Sequence, residues 1–101
     1  MIEENLAELF ETPQEKFTIP SLEFPSDIAL DSKNDIYIVD SHNHRILKLD
    51  LNGHFKLCFG RQGMEQGNFL YPQSIAIDQF DNIFISDLNN NRIQVFSPVG
   101  E

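Results

Sequence analysis

The chain repeats itself. Residues 24–53 laid over residues 71–100, at an offset of 47 and without a gap, agree at eleven of thirty positions. Phe24-Pro25 falls on Tyr71-Pro72, and Ile28-Ala29-Leu30-Asp31 on Ile75-Ala76-Ile77-Asp78. Ile36-Tyr37-Ile38-Val39-Asp40 meets Ile83-Phe84-Ile85-Ser86-Asp87. Asn43-His44-Arg45-Ile46 meets Asn90-Asn91-Arg92-Ile93, and Gly53 meets Gly100. Most other positions exchange like for like. A tandem unit of this size cannot bury its apolar faces alone, so the fold must stack one unit on the next.

The period says what kind of unit it is. Helical repeats of 40–50 residues need long stretches of 3.6-residue periodicity, and residues 24–101 have none. Short runs rich in Ile, Val, Phe and Tyr alternate instead with Asn, Asp and Gly clusters, the pattern of strands and turns. Repeats of that length built from strands are propeller blades, each a four-stranded sheet. The first unit places strand A near 27–31, B near 35–40, C near 45–50 and D near 54–59; the second places A near 74–78, B near 82–87 and C near 92–97. Ser32-Lys33-Asn34-Asp35, Asp50-Leu51-Asn52-Gly53 and Gln79-Phe80-Asp81-Asn82 supply the turn residues between them. The apolar run from Ile36 to Val39 predicts a strand buried on both faces, as between stacked blades.

At these residues the chain resembles the NHL repeat, whose blade reads roughly Pro-x-x-Ile-Ala-x-Asp, a turn, an apolar strand ending in Asp, then Asn-x-Arg-Ile. Both units carry that pattern, and Phe59-Gly60-x-x-Gly63-x-x-x-Gly67-x-Phe69 is similar to the family's connection between blades. The resemblance implies an all-β fold: two four-stranded blades of a six-bladed or similar ring, incomplete with this chain alone. It divides the chain into an acidic segment 1–23, a first blade 24–70 and a second blade 71–101 that lacks its last strand.

The leading segment has three readings. Residues 7–12 stand at the strand D position of a preceding blade, so a chain beginning with D and ending after C could donate that strand, and three copies would close six blades as a homo-trimer. Ile2, Leu6, Leu9 and Phe10 lie at i, i+4, i+7 and i+8, which is helix spacing. The third reading is a linker through Pro13 and Pro20, with the remaining blades supplied by a longer parent chain.

Charge bears on the partner. Sixteen acidic residues face seven Lys and Arg, a net charge of −9 with His neutral. Six Glu and one Lys fall in the first 23 residues, and no basic run occurs anywhere. Nucleic-acid binding draws its affinity from neutralising phosphates, so this balance argues against a DNA or RNA partner. No leader pattern or apolar run of membrane-spanning length is present. The single Cys58, in Leu57-Cys58-Phe59, reads as a buried structural thiol. With no glycosylation sequon either, a reducing cytosol fits.

Candidate chemistry is sparse. Asp40-Ser41-His42-Asn43-His44, if extended, sets two imidazoles and a carboxylate on one face, as a zinc site requires. The resemblance extends to NHL-like amidating lyases, which use metal-bound His. The second unit nevertheless places Asp87, Asn89 and Asn91 at the matching positions, so His42 and His44 are weak metal candidates and a hydrogen-bonded loop is the plainer reading. Asp40 with Arg45, and Asp87 with Arg92, recur five residues apart and predict a bidentate pair that holds each B–C turn or bridges to the next blade. Asp31 and Asp78 read as turn caps. No nucleophile elbow, phosphate loop or calcium loop occurs, and nothing calls for a cofactor. The expected function is a non-catalytic scaffold that binds a protein or peptide through Ser41, His42, Asn43 and His44, through Leu88, Asn89, Asn90 and Asn91, and through the interblade loop from Arg61 and Gln62 to Asn68. The competing classes are part of a propeller enzyme, a metal-dependent lyase or hydrolase, and an RNA-binding propeller of the tripartite-motif type, which works through a basic face.

Overall fold

A computed structural model describes residues 19 and 21–98. The alternatives for residues 7–12 and for a leading helix lie outside the described residues. Seven strands run in chain order: β1 (Pro25–Leu30), β2 (Ile36–Asp40), β3 (Arg45–Leu49), β4 (Phe55–Phe59), β5 (Pro72–Ile77), β6 (Ile83–Asp87) and β7 (Arg92–Phe96). They form two antiparallel meanders, β1-β2-β3-β4 and β5-β6-β7. The fold is all-β, and each repeat unit forms one sheet.

The expected strands are all found, with one shift. β1 and β5 start two residues earlier than composition suggests, at Pro25 and Pro72. In both, the register slips directly after the proline, between Pro25 and Asp27 and between Pro72 and Ser74. A proline cannot donate to the ladder, and it survives here because β1 and β5 are edge strands with a bulge beside it.

Directly opposite residues of antiparallel strands share a face, and this sorts the apolar side chains. On the first blade Tyr37, Val39 and Ile46 point one way; Ile36, Ile38, Leu47 and Leu49 point the other. The first set packs directly on Ile75, Ile83, Ile85 and Phe96 of the second blade, with Phe69 from the connection between blades fully buried among them. That shared cluster is the principal core and buries Tyr37 and Val39 of β2, while Ile36 and Ile38 are buried on the opposite face, so the whole strand is covered. The second set is partly covered by Ile19 and Leu22.

Cys58 departs from expectation. Its thiol is exposed, because β4 is the edge strand and Cys58 pairs with Leu47 on the face turned away from the second blade.

Tight turns follow the Asp positions. Asp31 Oδ1 accepts the main-chain N–H groups of Lys33 and Asp35, and Asp78 Oδ1 those of Phe80 and Asn82, all at 2.9 Å. These are Asx turns, with Asn34 and Asp81 in the left-handed region at φ 66° and 67°.

Candidate functional site

Each β2–β3 and β6–β7 turn is a single turn of 3-10 helix, Ser41–Asn43 and Leu88–Asn90, closed by a left-handed residue, His44 or Asn91, at φ 54° and ψ 44°. The segment carrying His42 and His44 is therefore not extended, and the two imidazoles take different surroundings, His42 exposed and His44 buried. His42 stacks on Phe24, with centroids 4.8 Å apart and planes 9° from parallel. His44 turns inward, where its Nδ1 accepts the main-chain N–H of Tyr71 at 2.9 Å and its ring meets the Tyr71 ring edge-on at 4.5 Å. Among the described residues no three His, Cys, Asp or Glu side chains are grouped to hold a metal. Burial pushes the His44 imidazole below its ordinary value of 6.5; His42 adds to the push, and Asp87 opposes it.

The Asp–Arg pairs form a latch. Asp40 is fully buried. Its Oδ1 accepts the Glu23 N–H at 2.7 Å, and its Oδ2 accepts Arg45 Nε at 2.7 Å and Asn43 Nδ2 at 2.9 Å. Asp87 repeats this with the Leu70 N–H, Arg92 Nε and Asn90 Nδ2, at 2.7, 2.8 and 2.9 Å. The guanidinium is not bidentate on the carboxylate as the spacing suggested. One carboxylate oxygen is taken by the incoming main chain, so the guanidinium gives only Nε to Asp and turns Nη2 to the connecting segment. Arg92 Nη2 donates to the carbonyls of Glu65 and Asn68, and Arg45 Nη2 to Ser21 Oγ at 3.2 Å. The latch thus ties three things to one carboxylate: the turn, the following strand and the chain arriving from before the blade.

Beside each latch an aromatic residue is held in an unusual backbone state. Phe24 (φ 61°) and Tyr71 (φ 54°) occupy equivalent positions, each immediately before a proline. Bulky side chains avoid the left-handed region, and a following proline pushes its predecessor toward extended geometry. Such a conformation costs about 1–3 kcal/mol and persists only where the surroundings impose it. Here the latch imposes it: the Glu23 and Leu70 N–H groups are bound to Asp40 and Asp87, and the Phe24 and Glu23 carbonyls accept the Ser41 and His42 N–H groups. Phe24 remains 63% and Tyr71 38% exposed.

Between the two blades these positions line one cleft of about 490 Å³, formed by Phe24, Ser26, Ser41, His42, Tyr71, Gln73, Leu88 and Asn89. Every one of the eight has its partner 47 residues away: Phe24 with Tyr71, Ser26 with Gln73, Ser41 with Leu88, His42 with Asn89.

The expected contact residues are thus sorted. His42, Leu88, Asn89, Asn91, Arg61 and Gln62 are exposed. Ser41 and His44 are buried and stand behind the surface. Asn43 and Asn90 are committed to the latch, and Asn90 also reaches the Gly63 carbonyl. His42, Leu88 and Asn89 lie together at the cleft, whereas Arg61 and Gln62 do not line it.

Sequence reading missed two groups. The cleft's aromatic wall was hidden because Phe-Pro and Tyr-Pro read as ordinary strand entries. A polar seam between blades was hidden because the repeats differ there. Ser26 Oγ donates to the Gln73 carbonyl at 2.6 Å, Asp27 Oδ2 accepts the Ile75 N–H at 2.9 Å, and Ser32 gives its N–H and hydroxyl to Asp81. Those bonds from Ser32, side chain first, hold the Asp81 carboxyl below the usual carboxylate value.

Known proteins match this arrangement. The NHL repeat model fits residues 22–49 and 69–96, both units and more than half of the chain. Protein brain tumor of Drosophila melanogaster is 43% identical over 47 residues, which is 46% of this chain and 4% of that protein. The chain therefore spans a small part of that relative's length. Two matched units, stacked through a common core and each closed by the same Asp–Asn–Arg latch, show that the chain belongs to the NHL-repeat family.

Proposed function

We propose that the chain is a non-catalytic scaffold that binds a protein or peptide at the blade edge carrying the Ser41–Asn43 and Leu88–Asn90 turns. The observation that carries this reading is the cleft: exposed aromatic rings held at a conformational cost in both units, beside an exposed Leu88. Strain retained next to solvent serves recognition better than packing, since packing would have hidden the rings. Loops on a rigid sheet are the usual place for such contacts. Among the described residues no Lys or Arg lines the cleft, so a phosphate backbone finds no counter-charge from them there. Selection of a random peptide library on the immobilised 101-residue chain tests this. Enriched peptides bind the unaltered chain and lose about tenfold in affinity on Leu88→Asp, which puts a charge on the apolar wall. Enrichment that ignores Leu88→Asp would place the contact elsewhere, and no enrichment would refute peptide binding.

A second reading concerns self-association. The face of the second blade bearing Phe84, Ile93 and Val95 is exposed, and by the 47-residue offset it corresponds to the Tyr37, Ile46 and Lys48 face that the second blade covers. The outward face of the first blade corresponds in turn to the face of the second that the first covers. The second blade's face is open, whereas on the first blade's outward face Ile28 and Leu30 are exposed but Ile36, Ile38, Leu47 and Leu49 are already covered. This favours a further blade on the second unit first, from a parent chain or from other copies in a ring such as the six-bladed trimer.

A further inference from the structure

We infer that the cleft at the blade junction is built for a proline-rich peptide in polyproline II conformation with a cationic flank, a specification that rests on the peptide-binding reading above. Four rings form a continuous ladder across the junction. Phe24 stacks on His42 at 4.8 Å, His42 meets Tyr71 edge-on at 5.4 Å, and Tyr71 meets His44 at 4.5 Å. The first two steps put Phe24 and Tyr71 no more than about 10 Å apart, and one turn of polyproline II advances about 9 Å. Two exposed rings within that reach can each meet a proline on one edge of such a helix.

The polar part of the cleft fits the same ligand. Polyproline II makes no internal hydrogen bonds, so its carbonyls need outside donors while its prolines offer none. Tyr71, Gln73 and Asn89 line the cleft from exposed positions, and each side chain carries a donor. A peptide seeking strand pairing would instead need a row of free main-chain groups, whereas here the turn N–H groups of His42 and Asn89 are already given to the Glu23 and Leu70 carbonyls. The stiff helix also loses little conformational freedom on binding, which suits a shallow, open site.

Charge assigns the flank. The net charge is −9, among the described residues no Lys or Arg lines the cleft, and the exposed Glu23 precedes Phe24, which forms one end of the ladder. An arginine or lysine beside the prolines meets that carboxylate and the faces of the exposed rings.

The test uses two ten-residue probes, nine prolines with an arginine at one end or the other, titrated into the isotopically labelled 101-residue chain. A control peptide of one arginine and alternating glycine and serine is run alongside. At least one proline probe is expected to shift the resonances of Phe24, His42, Tyr71 and Leu88, and the control is not. Tyr71→Ala and Phe24→Ala each weaken binding about tenfold, Tyr71→Phe less, and Glu23→Gln lowers both affinity and its salt dependence. Because Phe24 and Tyr71 precede different strands, two independent truncations guard against one variant failing to fold. Proline probes that leave the cleft resonances unmoved, or that bind the alanine variants unchanged, overturn the inference. If the random library yields cleft-binding peptides without proline, the inference falls while the peptide-binding reading stands. If a ten-nucleotide oligouridylate binds the cleft while neither the proline probes nor any library peptide does, both fall in favour of single-stranded RNA.

Discussion

His44 is the residue whose chemistry is most exposed to solution conditions. Its Nδ1 accepts a main-chain N–H from Tyr71, so the neutral ring is the one the fold can use. Its value in the folded chain is lowered by burial from 6.5, so on acidification the unfolded chain takes up this proton first. The contribution of His44 is therefore full above pH 6.5, falls as the pH drops below it, and levels once the folded ring is protonated as well. Urea denaturation between pH 7.5 and 5 is expected to show that decline, and His44→Asn to flatten it. Asparagine is the residue at the equivalent position 91, in the same left-handed geometry, so the replacement keeps the turn. An unchanged slope in His44→Asn would show that the imidazole does not set the pH dependence. At this scale the sequence was legible where the two units agree: the Asp31 and Asp78 caps and the Asp–Arg partnership follow from repetition. It was not legible where a residue acts across the junction, because Ser26, Asp27 and Ser32 have no counterpart of the same type in the second unit.

At the scale of elements, strand positions were legible because runs of β-branched and aromatic residues, and the Asn, Asp and Gly clusters between them, are local properties. The connection from β4 to β5 was legible only as a glycine-containing crossing, and the structure separates its glycines by role. Gly60 (φ 93°) lies against the ring of the buried Phe69, which a Cβ would strike, with the His44 carbonyl 3.3 Å away. Gly67 (φ 91°) has open space where a Cβ would sit. Both replacements by alanine incur backbone strain, but only one collides with the core. Gly60→Ala is expected to cost about 3 kcal/mol and Gly67→Ala about 1 kcal/mol in chemical denaturation. Equal costs would mean that Phe69 moves aside freely and does not anchor the junction. The sense of the β1 and β5 entries, by contrast, could not be read locally. Phe24 and Tyr71 take their left-handed state from bonds made by residues 17 positions away in sequence, and the pre-proline rule points the other way.

For the whole molecule, the apolar side chains left exposed on either side give a direct expectation. Ile93 is 69% exposed and Val95 55% on one side; Ile28 is 60% and Leu30 55% exposed on the other. Apolar surface of this kind associates as concentration rises. Light scattering on the 101-residue chain is expected to show mass increasing with concentration, and Ile93→Lys, at an exposed position, to reduce it without loss of folding. A chain that stays monomeric at all concentrations would show that these faces do not meet. The ring's incompleteness was legible from the repeat count; which face meets which was not, because it depends on the direction in which each side chain leaves its strand.

The latch gives the family a natural seam for growth. Residues 21–24 bind Asp40 as residues 68–71 bind Asp87, so the carboxylate of each blade grips the strand-entry segment of that same blade. A copying unit cut at residue 21, not at the first residue of β1, carries its own clasp. Inserting a duplicate of residues 21–67 directly after residue 67 would lengthen the array by one blade and orphan no carboxylate. Each carboxylate takes a main-chain N–H 17 residues before it. An insertion that is not a whole 47-residue period would therefore leave an Asp without that N–H, which makes the joint, more than the sheet, the part that keeps such arrays in phase.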